Sequence, residues 1–246
     1  MSLYDLHTHT TYSDGESTPE EMVQRAIEMG LTKIGFSDHS YTAFEDYYCL
    51  TPRSTEEYKS EINALKEKYK GRIEILCGIE QDYYTDLEPT GFDYIIGSVH
   101  FVKIQNEYIA VDDTEEILAN AADKYFGGDI YSLIELYYET VADVVNKTGA
   151  DIIGHLDLIT KFNEGGRMFD ESHPRYVKAY KSAVDKLINY NKPFEINSGA
   201  ISRGYRTAPY PSKEIIDYIK SKGGTLIHSS DSHSKDTLCY GIKDKN

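Results

Sequence analysis

Two histidines near the N-terminus, His7 and His9, have a residue type and a spacing that could bind a metal ion. They end a short apolar run that predicts a β-strand, in which residues i and i+2 point to the same face. Two neutral imidazoles on one face are suitable ligands for a divalent cation. Asp14 follows a few residues later, and its carboxylate is a third candidate ligand for the same cation. A His-x-His pair alone is a weak signal, so the prediction depends on further ligands elsewhere in the chain.

The rest of the chain supplies such ligands, because six of the seven predicted strands end in an aspartate, a glutamate or a histidine. The complete candidate set contains six imidazoles and three carboxylates: His7, His9, Asp14, His39, Glu80, His100, His155, Asp231 and His233. This set is too large for one zinc ion and suits two or three divalent ions. The mixture of nitrogen and oxygen ligands favours zinc, iron or manganese over magnesium or calcium. A site with several such ions can generate hydroxide at neutral pH and act on a phosphoryl group.

Helical and apolar segments alternate along the chain. Strands are predicted at the N-terminal run and at residues 33–37, 73–79, 94–99, 150–154, 193–197 and 225–229. Helices are predicted after the capping boxes Thr18–Glu21 and Ser54–Glu57, across 114–147 with a division at Gly127–Gly128, and at 174–190 and 212–222. Apolar strands separated by helices predict an α/β fold with a parallel sheet and an active site at the carboxyl ends of its strands. A barrel is favoured over an open sheet because a barrel brings all of these ends to one mouth.

Composition excludes several classes of protein. The length of 246 residues allows one large or two small α/β domains. The net charge of −15 disfavours nonspecific binding to nucleic acid. We find neither an apolar run long enough to span a membrane nor a secretory leader, so no membrane partner is expected. The three cysteines form no CxxC pair, which fits small buried side chains in a reducing cytoplasm.

The motifs that contain the candidate ligands resemble those of the PHP (polymerase and histidinol phosphatase) family. They occur in the family's order, as His7-x-His9 with Ser13-Asp14-Gly15, Asp38-His39, Gly78-Ile79-Glu80, Ser98-Val99-His100, Gly154-His155 and Ser230-Asp231-Ser232-His233. The resemblance covers nearly the whole chain and implies a single PHP domain over residues 1–246. It implies a distorted (β/α)7 barrel, similar to a TIM barrel, with up to three divalent metals at the strand ends.

The resemblance also implies how the ligands are shared. It places His7, His9, Glu80 and Asp231 on the first metal, Asp14, His39 and Glu80 on the second, and His100, His155 and His233 on the third.

Several stretches, among them residues 78–83, 92–101 and 153–159, are most similar to the stand-alone histidinol-phosphate phosphatases. This similarity implies hydrolysis of L-histidinol phosphate, a small phosphate monoester, by a metal-bridging hydroxide. Glu80, Asp231, His9 and Arg203 are the candidate catalytic residues. Arg203, which follows the sixth strand, is the first candidate for binding the phosphate, and Arg206 and Lys161 are further candidates. The group that protonates the leaving alkoxide is not predicted.

Three other functions remain open at this stage. One is a PHP-type phosphodiesterase or exonuclease, which the acidic composition disfavours. Another is a PHP-type protein-tyrosine phosphatase, which only substrate tests distinguish. The third is a non-catalytic metal-binding protein, which is disfavoured because every expected ligand position is filled. The oligomeric state is not predicted.

Overall fold

A seven-stranded parallel sheet forms the centre of the computed structural model, which describes residues 3–85 and 87–242. Its strands, in spatial order, are β1 (Tyr4–Asp5), β2 (Lys33–Phe36), β3 (Glu74–Asp82), β4 (Tyr94–Ser98), β7 (Ile152–Ile153), β8 (Phe194–Asn197) and β9 (Leu226–Ser229). The first and last strands meet beyond their ends, where Thr8 pairs with Ser232 and the backbone N–H of His9 donates to the Ser232 carbonyl at 2.8 Å. The predicted distorted (β/α)7 barrel is therefore confirmed.

Eight α-helices surround the barrel in the described part of the chain. They are α1 (Pro19–Glu28), α2 (Pro52–Lys68), α3 (Glu115–Phe126), α4 (Ile130–Val141), α5 (Val144–Thr148), α6 (Pro174–Leu187), α7 (Gly199–Ser202) and α8 (Lys213–Ser221). The capping box predicted for α1 is present, with Thr18 as the N-cap. The one predicted for α2 is wrong, because Thr51 caps this helix and Ser54 is its third residue. Pro52 fits the first helical position, where no N–H is needed, and so sets the earlier start.

Two parts of the chain differ further from the prediction. The segment predicted as a helical region with one division contains three helices, because a second break occurs at residues 142–143. An antiparallel hairpin, β5 (Phe101–Ile104) and β6 (Glu107–Ala110), was not predicted at all. It follows β4 and carries the chain over one side of the barrel mouth before α3 begins.

The Tyr94 side chain packs with Ile96 and Ile152 in the apolar interior of the barrel. Its hydroxyl donates to the carbonyls of Leu6 at 2.5 Å and Phe36 at 3.1 Å. Gly78 leaves room for the ring, since a Cβ atom there would lie 2.3 Å from it. The helices pack on the outside of the barrel through apolar faces, including those of α1, α2, α4 and α6.

Two predictions from composition can be compared with this fold. The helices in the described ranges are all too short or too polar to cross a membrane. Cys49, Cys77 and Cys239 are free and buried, as predicted.

Candidate metal centre

Glu80 is the centre of the predicted ligand set. The sequence predicted that strand β3 ends before Glu80. The strand instead continues to Asp82 and carries the Glu80 side chain into the mouth. One carboxylate oxygen, Oε2, lies 3.5 Å from His7 Nε2, 3.6 Å from His9 Nε2 and 2.8 Å from His39 Nδ1. The two imidazoles of the His-x-His motif are neighbours, with ring centroids 5.2 Å apart, although both follow strand β1 and do not lie within it.

The second oxygen of Glu80 faces a different pair of imidazoles. Oε1 lies 2.8 Å from His155 Nε2 and 3.5 Å from His100 Nε2. Ser98 Oγ donates to the same oxygen at 2.6 Å. One carboxylate therefore contacts two groups of histidines, which is the arrangement expected of a residue that bridges two ions.

Asp14 and His233 form a third group with His39. The Asp14 carboxylate lies 3.6 Å from His39 Nε2 and 3.3 Å from His233 Nε2. The resemblance implied that His233 shares an ion with His100 and His155, but in this structure its neighbours are Asp14 and His39. His233 follows β9, which lies beside β1 in the closed barrel, so it meets the loop that carries Asp14. His100 and His155 instead share Glu80.

Asp231 completes the group formed by His7, His9 and Glu80. Its Oδ1 lies 3.1 Å from His9 Nε2 and 3.6 Å from His7 Nε2. This arrangement agrees with the first implied ligand group. The structure thus brings all nine predicted side chains into one cluster at the carboxyl ends of the strands.

Two carboxylates that the sequence did not indicate as site residues hold these ligands in place. Glu195 on β8 lies 2.5 Å from His7 Nδ1 and accepts a hydrogen bond from the His155 backbone N–H at 2.8 Å. Asp82 lies 3.2 Å from His100 Nδ1. For Glu195, the available sequence signal was an acidic residue within an otherwise apolar strand, whereas Asp82 lay outside the predicted strand.

Asp38, which follows β2, has a related role and supports the loop after β1. It accepts hydrogen bonds from the Thr10 backbone N–H at 2.8 Å and from Ser13 Oγ at 2.6 Å. It is therefore a support for the loop that contains Asp14, consistent with its exclusion from the predicted ligands.

The electrostatics of the cluster fit divalent cations. Burial and the nearby His233 and His39 imidazoles lower the pKa of His9 to about 3, so His9 is neutral, as a metal ligand must be. Burial opposes ionisation of Glu80, but the surrounding imidazoles, His7 first among them, hold its pKa well below the usual range. Several buried atoms have close polar neighbours but no contact with the geometry of a hydrogen bond among the described residues: His7 Nε2, both ring nitrogens of His9, Glu80 Oε2 and His155 Nδ1. Most of them face the middle of the cluster and form a donor set of the kind that zinc, iron or manganese bind.

The cluster forms one end of a cavity of about 330 Å³. Arg203 lines this cavity, with one guanidinium nitrogen 3.1 Å from Asp231 Oδ2 and the other 2.7 Å from His233 Nδ1. Lys161 also lines it, but its ammonium donates to the Asp112 carbonyl at 2.6 Å. Arg206 bonds to Thr160 and is not among the residues that line the cavity. The predicted roles of Lys161 and Arg206 in binding phosphate stay predictions.

Comparison with known proteins identifies the family. A sequence model of the PHP domain matches residues 5–199. The protein belongs to the PHP family. A Bacillus subtilis histidinol-phosphatase is 25% identical, with 99% of this chain and 98% of that protein covered.

Solved structures agree with this assignment. A Lactococcus lactis histidinol phosphate phosphatase, complexed with zinc, L-histidinol and phosphate, is 26% identical with a TM-score of 0.68, covering 94% of this chain and 86% of that one. A structure from Listeria monocytogenes has a TM-score of 0.83 at 20% identity, covers 97% of this chain and 98% of that one, and supports the fold.

Proposed function

We propose that this protein is a metal-dependent phosphomonoesterase that hydrolyses L-histidinol phosphate to L-histidinol and phosphate. The observation that carries the proposal is the cluster around Glu80, which opens into a cavity of a size suited to a small molecule. The likeness to histidinol phosphatases over nearly the full length of both chains supports the choice of substrate.

We propose that two or three zinc, iron or manganese ions bind in this cluster. His7, His9, Asp231 and Glu80 Oε2 would hold one ion, Glu80 Oε1 with His100 and His155 a second, and Asp14, His39 and His233 a third. Divalent ions supply a water-derived nucleophile at neutral pH and neutralise charge on phosphoryl oxygens. Glu80, Asp231 and His9 are the catalytic candidates nearest to where the phosphoryl group would bind.

Arg203 is the residue that we propose binds the phosphate. Asp231 holds its guanidinium at the edge of the cluster through the carboxylate Oδ2 at 3.1 Å and the backbone carbonyl at 3.3 Å, so the side chain is ordered before the substrate binds. A guanidinium can donate two parallel hydrogen bonds to a phosphate. The phosphoryl group would then bind between Arg203 and the cluster.

The wall of the cavity also contains acidic residues, which suit the cationic amine of histidinol. Glu45, Asp112 and Asp113 all line it. Burial raises the pKa of Glu45, and the carboxylates of Asp113 and Asp112 raise it further, so these groups repel one another. A positively charged substrate would relieve that repulsion, whereas a nucleic acid phosphate backbone would increase it.

We also propose that the chain is a single PHP domain over residues 1–246 and that it acts in the cytoplasm. Asp231 and His233 lie beyond the end of the family match, yet they complete the same cluster, which supports one domain. The three free cysteines support a reducing compartment.

The proposal is tested by phosphate release from L-histidinol phosphate, phosphotyrosine and a nucleotide diester, each with the metal-loaded protein. We expect kcat/KM on the order of 10⁴ M⁻¹s⁻¹ or more for L-histidinol phosphate alone, which is the ordinary range for enzymes. The Glu80→Gln variant should lose this activity. Faster cleavage of the diester or of phosphotyrosine would contradict the assignment of the substrate.

A further inference from the structure

Tyr210 carries a buried hydroxyl group in the wall of the cavity. The residue is 1% exposed and its side chain lines the cavity. Its backbone is fixed beside β8, because its N–H donates to the Asn197 carbonyl at 2.9 Å and its carbonyl accepts from the Asn197 N–H at 2.7 Å. Tyr210 Oη has no hydrogen-bond partner among the described residues. The hydroxyl is therefore rigidly placed and unpaired.

Other deeply buried tyrosines of the barrel differ from Tyr210 in this respect. Tyr58 Oη donates to the Gly78 carbonyl at 2.9 Å, and Tyr137 Oη donates to a backbone carbonyl at 3.2 Å. Tyr138 Oη donates to Tyr176 Oη at 3.3 Å. A buried hydroxyl without a partner costs free energy, so an unpaired one beside a binding cavity indicates a partner that arrives with a ligand.

The surroundings of Tyr210 indicate that this partner is an anion. The guanidinium carbon of Arg206 lies 5.0 Å from the ring centroid, and Arg203 lines the same cavity. The ring centroid of His155, one of the candidate ligands, is 6.5 Å from that of Tyr210. The hydroxyl is thus an unused donor near two guanidinium groups, although burial raises its pKa and Asp157 and Asp112 are also close enough to raise it further.

We propose that Tyr210 Oη donates a hydrogen bond to the phosphoryl group of the bound substrate. This inference rests on the proposed phosphatase function and adds a neutral donor to the charged groups that bind the phosphate. It also gives Arg206 a role, since a guanidinium packed against the ring holds the phenol in place without lining the cavity.

A structural role is the competing explanation. Asp157 Oδ1 and Arg206 Nε are also buried and make no hydrogen bond in the described ranges, although Arg206 Nε lies 3.7 Å from Glu164 Oε2, so an ordered water could join them to Tyr210. In that case the hydroxyl would stabilise the fold and would not affect phosphate binding. The two explanations predict opposite results when the hydroxyl is removed.

The test compares Tyr210→Phe with Tyr138→Phe, which removes a paired hydroxyl that does not line the cavity. Orthophosphate binding to the zinc-loaded proteins is measured by calorimetry, and thermal unfolding without phosphate is measured in parallel. We expect Tyr210→Phe to raise the Kd for orthophosphate about 10- to 100-fold, as for loss of a hydrogen bond to a charged group. Its Tm should stay the same or rise. Tyr138→Phe should leave the Kd unchanged and lower the Tm.

An unchanged Kd in Tyr210→Phe, with a lowered Tm, would overturn the inference in favour of the structural role. Because orthophosphate binding requires no turnover, this result is separate from the choice of substrate. A wild-type protein that binds orthophosphate through Tyr210 but does not hydrolyse L-histidinol phosphate would support the inference and contradict the proposed function.

Discussion

At the scale of single residues, the candidate centre depends on the groups behind the ligands. Glu195 uses both carboxylate oxygens, one against His7 Nδ1 and the other on the N–H groups of His155 and Asn197. Its contact with Nδ1 leaves His7 Nε2 facing Glu80 and Asp231. Partners of this kind fix the orientation of a metal-binding imidazole and increase its basicity.

We therefore expect Glu195→Gln to lower metal affinity about 10- to 100-fold, the usual effect of losing such a partner. Competition with a chromogenic chelator measures the affinity. Glu74→Gln, an exposed position at the other end of a barrel strand, is the matched control and should bind metal like the wild type. Wild-type affinity in Glu195→Gln would show that Glu195 does not support the site.

The nine candidate ligands could be predicted from the sequence because they lie near the carboxyl ends of strands or in the segments that follow them, where side chains of a parallel barrel converge. Their grouping could not be predicted in the same way. His233 lies beside Asp14 only because β9 and β1 become neighbours when the barrel closes, and those residues are far apart in the chain. Glu195 was missed because an acidic residue within a strand does not show which side chain it will contact.

At the scale of elements, the loop between β1 and α1 places Asp14 at the mouth. The Gly15 N–H donates to the Thr10 carbonyl at 2.9 Å, and Asp38 holds Thr10 and Ser13 from the other side. Gly15 packs so closely that a Cβ atom would lie 2.6 Å from the backbone of His9. The loop can adopt this path only with glycine at that position.

Substitution Gly15→Ala should therefore displace Asp14 from His39 and His233. We expect kcat/KM for phosphate release to fall about 100-fold, as for a displacement of about 1 Å at a reacting site. Metal content should fall as well. Gly30→Ala is the control, because Gly30 has φ +77° but open space around it, so that change affects stability and not the centre. Normal metal content and activity in Gly15→Ala would contradict this account of the loop.

The start of α1 gives a prediction about pH. Glu21 pairs with Lys235 at 2.9 Å and accepts from the Thr18 backbone N–H at 2.9 Å, and these contacts lower the pKa of Glu21 to about 2. The contribution of these Glu21 contacts to the stability of the fold is complete above pH 4.5, about the ordinary pKa of a glutamate. It is lost as the pH falls towards 2.

Unfolding midpoints of the wild type and Glu21→Gln, measured from pH 7 to pH 3, test this prediction. The difference in unfolding midpoint, with the wild type the more stable protein, should be constant down to about pH 5 and should then shrink. About 1 M salt should reduce the part that comes from Lys235. An advantage that grows at low pH would have the wrong sign for this interaction.

At the scale of the whole molecule, the closed barrel brings several carboxylates together at its mouth. The chain as a whole has a net charge of −15. Glu80, Asp231 and Glu195 are buried at the mouth together with the histidines. The barrel itself could be predicted, because apolar strands and helices alternate along the chain. The hairpin β5–β6 could not, since its two short strands lie outside that alternation and only their pairing defines them.

Cations bound at the mouth should stabilise this fold, because the unfolded chain does not assemble the cluster. We compare the metal-free protein with the protein in the presence of free metal at about 100 to 1,000 times its Kd. We expect the free energy of unfolding of the metal-free protein to be lower by about 3–4 kcal/mol. Urea unfolding with excess zinc and after chelation measures the difference. Calcium should not restore the loss, and identical midpoints with and without zinc would contradict a metal centre of this kind.

The most direct test of the account is phosphate release from L-histidinol phosphate by one preparation of the protein as loaded, after metal stripping, and after zinc, iron or manganese is added back. We predict kcat/KM on the order of 10⁴ M⁻¹s⁻¹ or more when loaded, loss of activity on stripping, and recovery with at least one of these metals. Activity that is unaffected by stripping, or that no metal produces, would contradict a metal-dependent histidinol phosphatase.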